Sequence, residues 1–107
     1  MLKYNFLNHK KGDTFNSRKI TINLDLTDAQ IDIHFKSKGS VIPSFYWSTR
    51  NGSIVIIDAA RGIMTLDKKK LNFPKNIYFY DFQITHKNGE TFTYFEGFIK
   101  ILQDNTK

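Results

Sequence analysis

The chain has 107 residues, of which 40% are hydrophobic and 15% aromatic, and its sixteen basic and ten acidic residues give a formal charge of +6. This length suits one domain with a buried core, and the ring content excludes a disordered or low-complexity chain. Because the sequence contains no cysteine, it excludes a disulfide framework, a thiolate metal site and a cysteine nucleophile. A single domain over residues 1–107 is the predicted organisation.

The basic excess would favour polyanions, but the charge is scattered along the chain. Residues 68–70 are the only run of three lysines, so a specific nucleic-acid role is disfavoured. No apolar run approaches the roughly 20 residues that span a bilayer, and residues 1–11 lack the apolar stretch of a secretory signal. The sequence therefore predicts a soluble protein made in the cytosol, with no membrane partner.

The first third of the chain alternates between apolar and polar residues. Residues 1–7 alternate weakly, as either an edge strand or an arm that packs on another copy would. Residues 19–26 place four aliphatic side chains on one face and polar side chains on the other, which predicts a half-buried strand. Thr27 and Asp28 form the turn that follows, and residues 29–35 repeat the alternation as a second strand.

The middle of the chain begins with a proline, which cannot donate to a central ladder. Pro43 is therefore predicted in a loop or edge segment before the three rings of residues 45–47. Residues 54–57 are apolar on both parities, which predicts either a strand covered on two sides or a sheet edge packed by a neighbour. Gly62 is available for a turn with positive φ into a further strand at residues 63–66.

Residues 77–102 are predicted to form a long hairpin of two aromatic-rich arms. The arms join across residues 87–90, where Asn88 and Gly89 suit a tight turn because both tolerate positive φ. Gly97 interrupts the second arm and is expected to mark a bulge that shifts the register. Residues 103–107 form a polar tail.

These short runs, separated by turn signals at about ten-residue intervals, are typical of an antiparallel sandwich or barrel. No segment has a long helical pattern. We expect an all-β fold, an immunoglobulin-like antiparallel β-sandwich of about seven strands. A small open β-barrel is the alternative.

A search for catalytic or metal-binding patterns is negative. The three histidines are far apart in sequence and have no recognised metal spacing: His9, His34 and His86. Asp25, Asp28 and Asp32 cluster hard oxygen ligands, but they lack the glycine and terminal glutamate of a calcium loop. No catalytic, cofactor or metal residue is assigned, and we expect a protein that is not an enzyme.

The three successive rings Phe45, Tyr46 and Trp47 cannot all lie on one face of a strand. Such clusters stack on sugars, bases or partner side chains, although core and subunit packing is favoured here because the whole chain is rich in rings. One alternative function is a carbohydrate-binding module that uses these three residues as a stacking platform. A second alternative is a β-barrel that binds single-stranded nucleic acid.

Several short motifs occur in the order seen in a known family. They are residues 11–15 (KGDTF), 25–29 (DLTDA), 78–85 (YFYDFQIT) and 97–101 (GFIKI). In this order and spacing the chain resembles the N-terminal domain of phage baseplate upper proteins, with Asp28 standing where glycine is usual. The resemblance implies an immunoglobulin-like sandwich without catalytic residues.

The resemblance further implies a phage or prophage structural protein of the tail or baseplate, made in the bacterial cytoplasm and associated with the virion. Its partners would be other virion structural proteins or copies of itself. Because buried aromatic side chains carry a large share of interface energy, Tyr4, Phe6, Tyr46 and Trp47 are the candidate interface anchors.

Overall fold

The structure, a computed structural model, describes residues 2–103, with Leu2 and Lys3 described by their backbone alone. Every regular element in this range is a β-strand. The strands are β1 (Leu2–Lys3), β2 (His9–Lys10), β3 (Thr14–Phe15), β4 (Arg18–Thr21), β5 (Gln30–Ser37), β6 (Phe45–Ser48), β7 (Ile54–Asp58), β8 (Ile63–Leu66), β9 (Lys69–Lys70), β10 (Asn76–Thr85) and β11 (Thr91–Leu102). Four of these span two residues only, and the other seven match the predicted number.

The expectation of an all-β fold is confirmed. A large sheet with the order β1-β11-β10-β5-β6 curls into a half-barrel, and β2 also pairs with β11. A small sheet with the order β4-β8-β7 and the β3-β9 pair complete the domain. Among the described residues, no helix is long and apolar enough to cross a membrane. Met1 and residues 104–107 of the polar tail predicted at 103–107 lie outside the described residues.

The predicted hairpin is present as β10 and β11, and its arms join across residues 87–90 as predicted, but its bulge lies elsewhere than predicted. Of the pair Asn88 and Gly89, only Gly89 has a positive φ, at 89°. The turn is therefore longer than a two-residue turn, and the bond from the His86 N–H to the Glu90 carbonyl closes it. The register shift lies at Tyr94, because Phe82 pairs with Phe95 while the next residue pairs with Thr93. Gly97 therefore does not mark the bulge.

Gly97 allows the N-terminal arm, residues 2–10, to lie along β11. A Cβ at this position would overlap the carbonyl oxygen of Tyr4. The missing side chain leaves room for this carbonyl, whose oxygen also accepts from the Tyr80 hydroxyl at 2.7 Å. The predicted choice between an edge strand and an arm packed on another copy is thus decided by a glycine on the partner strand.

The strand predicted at residues 19–26 is half that length, although its facing is correct. It pairs with β8 over Arg18–Thr21 only. Beyond Thr21 the regular ladder ends. The Leu24 N–H donates to the Ile22 carbonyl two residues back, and the Leu26 N–H donates to the Ala59 carbonyl, which follows β7. Ile22 and Leu26 nevertheless stay buried. The second predicted strand is present as β5 and continues two residues past Phe35.

The core between the sheets is built largely from rings. The Phe35 ring stacks on the Phe45 ring with centroids 4.7 Å apart, and the Phe15 and Trp47 rings lie 5.0 Å apart. Aliphatic side chains of the small sheet, including Met64 and Leu66, close the core from the opposite side. Aromatic pairs at these separations add about 0.5–1.5 kcal/mol each beyond the area they bury.

Candidate functional site: the free sheet edges

The three consecutive rings are divided by the alternation of β6. Phe45 and Trp47 point into the core and are buried, whereas Tyr46 points outward with 43% of its surface exposed. The indole N–H of Trp47 donates to the Asp67 carbonyl at 2.8 Å, so the ring is satisfied inside the chain. A three-ring stacking platform is therefore wrong for this conformation, and the carbohydrate alternative retains one exposed ring.

Two of the four predicted interface anchors are likewise core residues. Phe6 is 8% exposed and Trp47 is 1% exposed, so neither ring reaches a partner. Trp47 is buried because the alternation of β6 turns its side chain toward the core. Phe6 is buried because the arm packs along β11 and turns that side chain inward. Tyr4 and Tyr46, at 49% and 43% exposure, remain on the surface.

Beside Tyr46 lies a shallow recess between β6 and β9. Lys69, Lys70, Asn51 and Phe73 contribute to its lining. The Lys69 ammonium sits 5.4 Å from the centroid of the Trp47 indole. Because the recess combines one exposed ring with two cations, its chemistry suits an anionic or ring-bearing ligand.

The carboxylates considered for calcium are held apart by their own partners. Asp25 accepts bonds from the hydroxyl and the N–H of Thr27, which together lower its pKa. Asp32 accepts from the Ser48 hydroxyl at 2.6 Å, and Asp28 lies 3.7 Å from the Lys87 ammonium. Over residues 2–103, no three side chains of metal-binding type come together.

The histidines are equally separate. Nε2 of His9 lies 2.8 Å from the Asp13 carbonyl oxygen, and Nε2 of His86 lies 2.8 Å from the Tyr94 hydroxyl. The His34 ring packs edge-on against Tyr46 on the outer face of the large sheet. Their contacts are with protein groups in three different regions.

The first notable surface is the outer edge of β7, the last strand of the small sheet. Val55 and Ile57 are 54% and 58% exposed, while Ile54 is buried. The strand has no proline, and its only charged residue is Asp58 at the end. A register shift falls between Ile56 and Asp58, so Ile57 is the extra residue of a bulge. Proteins usually protect such edges with lysine, proline or a covering segment.

The opposite edge of the small sheet borders a cleft, which we call the seam cleft. It lies between β4 and the N-terminal arm, at the line where the small sheet and the large sheet do not pair. Its volume is about 340 Å³. Apolar side chains contributed by both sheets form its floor: Ile20, Ile22, Ile33, Phe82 and Phe95.

Arg18 and Lys19 are the cations that line the seam cleft, and Arg18 packs on its rings. Its guanidinium carbon lies 4.5 Å from the centroid of the Phe15 ring and 5.6 Å from that of Phe6. Within residues 2–103, no carboxylate pairs with Arg18 or with Lys19 beside it. The cleft therefore joins an apolar floor to a positive end that no carboxylate of the described residues pairs with.

Tyr80 also lines the cleft, and its hydroxyl donates to the Tyr4 carbonyl. Burial, together with the nearby Tyr4 phenol, raises the pKa of Tyr80 to about 12. The Tyr80 hydroxyl thus stays protonated at neutral pH and keeps donating to the arm.

Sequence reasoning missed the seam cleft. Two basic residues at the start of the alternating run, 18 and 19, were visible in the sequence, but only the tertiary arrangement brings the arm and β4 to opposite sides of one gap. The free edge of β7 was partly anticipated, because residues 54–57 predict a sheet edge packed by a neighbour as one of two arrangements.

Comparison of the chain with protein-family models finds no match, and comparison with curated proteins finds no significant match. The resemblance to baseplate upper proteins thus has no support from these comparisons and stays a prediction.

Proposed function

We propose that this protein is a non-enzymatic structural subunit of the phage tail or baseplate type, which works by assembling with other protein chains. The observation that carries the proposal is the free, apolar edge of β7, where Val55 and Ile57 face solvent. An unprotected edge of this kind is a template for pairing with another strand. We infer that it pairs with a neighbouring subunit, a copy of this chain or another virion protein.

One backbone feature agrees with the motif on which the resemblance rests. Asp28 has a φ of 58°, a left-handed conformation in which glycine is the favoured residue. The corresponding motif of the baseplate family has glycine at this position. The left-handed backbone at Asp28 therefore supports the proposed relation to the baseplate family, with an aspartate at the position of the glycine.

The assembly state tests the case in which the neighbour is a copy of this chain. Light scattering over a range of concentrations and at two salt levels should give a defined, salt-resistant oligomer. Val55→Lys and Ile57→Lys should each shift it toward monomer, because an anchor lost from a buried edge costs about 2 kcal/mol, or roughly thirty-fold in Kd.

Val41→Lys is the matched control. It makes the same change at a valine that is 84% exposed in the loop before β6, a strand of the large sheet, whereas β7 belongs to the small sheet. This variant should keep the wild-type mass. A wild-type chain that is monomeric at every concentration, or folded β7 variants with unchanged mass, would contradict assembly between copies at this edge.

A further inference from the structure

The lining of the seam cleft includes five consecutive residues, 18–22. Successive side chains of a strand point to opposite faces, so a cleft that contacts one face touches every second residue. Contact with all five means that the cleft runs along the edge of β4 and meets its peptide groups. The cleft is therefore shaped to receive a strand as well as side chains.

The hydrogen-bond pattern of β4 shows which peptide groups face the cleft. The Ile22 N–H donates to the Gly62 carbonyl, and bonded and non-bonded pairs alternate along an antiparallel ladder. Ile20, two residues before Ile22, therefore also directs its N–H and C=O groups toward β8. Lys19 and Thr21 thus direct their N–H and C=O groups away from β8 and toward the cleft.

The opposite side of the gap is formed by the arm between β1 and β2, where Tyr4 and Phe6 line the cleft. The backbone there is already engaged, because the Tyr4 and Phe6 amides donate to β11 and the Tyr4 carbonyl accepts from the Tyr80 hydroxyl. Among the described residues, the strand edge without a partner in this gap is therefore that of β4, over a floor of aliphatic and aromatic side chains.

We propose that the seam cleft binds an extended segment of a partner protein, which adds as a strand to β4. The segment would place an apolar side chain on the floor and an acidic side chain against Arg18. Charge complementarity selects the acidic residue, since Arg18 and Lys19 have no carboxylate partner within the described residues. The proposal rests on the proposed function only in taking the neighbour to be a protein.

The test uses three synthetic peptide probes of about six residues, a length typical of a strand. In the first, apolar residues alternate with threonine and one end carries glutamate. The second has lysine in place of the glutamate, and the third has a central proline that prevents strand pairing. Fluorescence anisotropy of the labelled probes gives their Kd values.

We expect the acidic probe to bind at least tenfold more tightly than either other probe. Arg18→Gln should remove the preference for the acidic probe over the lysine probe. Lys19→Pro, which deletes an N–H facing the cleft without removing a bond to β8, should weaken the acidic probe at least tenfold relative to Lys19→Thr. Equal binding of the three probes would overturn the proposal, as would a folded Lys19→Pro variant that binds like Lys19→Thr.

Hydrogen exchange of the unmodified protein provides a measurement that needs no variant. Saturation with the acidic probe should protect the amides of Lys19 and Thr21, and an absence of protection there would also overturn the proposal. Val55→Lys should bind the probe as the wild type does. A failure of assembly at β7 and a failure of strand addition at β4 are therefore separate results.

Discussion

Replacing Gly97 with alanine tests how the N-terminal arm is held. The φ of Gly97 is outside the left-handed region, so alanine fits its backbone, and the substitution alone would stabilise the fold by about 0.4–1 kcal/mol through the unfolded state. The added Cβ, however, would overlap the Tyr4 carbonyl oxygen and lie 2.9 Å from Oδ1 of Asn5. The arm would have to move away from β11.

The expected cost follows from what the arm contributes. The Tyr80 hydroxyl donates to the Tyr4 carbonyl, and the Phe6 N–H donates to the Phe98 carbonyl at 3.0 Å. Each such bond contributes about 1 kcal/mol. Complete loss of a buried phenylalanine costs about 3–5 kcal/mol, and a displaced arm would withdraw the Phe6 ring only in part. We expect Gly97→Ala to destabilise the fold by about 3 kcal/mol.

Urea unfolding and thermal melts followed by circular dichroism measure this change, which corresponds to a fall in Tm of more than about 10 °C. Gly52→Ala is the control. Gly52 has a φ of 80° but open space around it, so its alanine variant should lose only about 1 kcal/mol. In a chain lacking residues 1–7, Gly97→Ala should become neutral or stabilising. A full-length Gly97→Ala protein as stable as the wild type would refute the reasoning.

The remaining predictions concern the rings and two turn residues. Trp47→Ala should destabilise the fold by about 3–5 kcal/mol, whereas Tyr46→Ala should cost less than about 1 kcal/mol, both by urea unfolding. Tyr46→Ala is accordingly the variant for glycan-array binding, and unchanged binding would remove the stacking alternative. The raised pKa of Tyr80 favours its neutral form in the folded state, so its stabilising effect is complete below about pH 10 and is lost as the pH rises toward about 12. Tyr80→Phe should therefore show a shallower loss of stability over that interval than the wild type, and equal slopes would contradict the assignment. Asp28→Gly, at a φ of 58°, should leave stability unchanged or raise it by up to about 1 kcal/mol. Gly62→Ala should unfold the domain or lower its Tm sharply, because a Cβ there would overlap two backbone carbonyl oxygens.

The fold class and the facing of most strands could be predicted from the sequence. Period-two alternation placed Ile31 and Ile33 inside, and turn residues separated the longer strands where the structure has turns. Such patterns are local, since each depends on a few neighbouring residues and on the chemistry of Gly, Asn and Pro. They also correctly implied that a strand cannot bury all of residues 45–47 on one face.

Which side of that strand faces the core was decided by its place in the sheet. β6 pairs with β5 in the register that sets Trp47 opposite the buried Ile33, so Tyr46 is the ring left outside. The role of Gly97 was equally hidden, because the close approach comes from Tyr4, which is remote along the chain.

Alternation and turn chemistry act over a few residues, so they were enough to predict an all-β chain with a ring-rich core. Where the sheets stop pairing depended instead on contacts between distant segments. Among the described residues, such contacts cover some strand edges and leave the edge of β7 and the seam cleft beside β4 without a strand partner. Strand pairing is a long-range property, and no local pattern specifies which edges remain open.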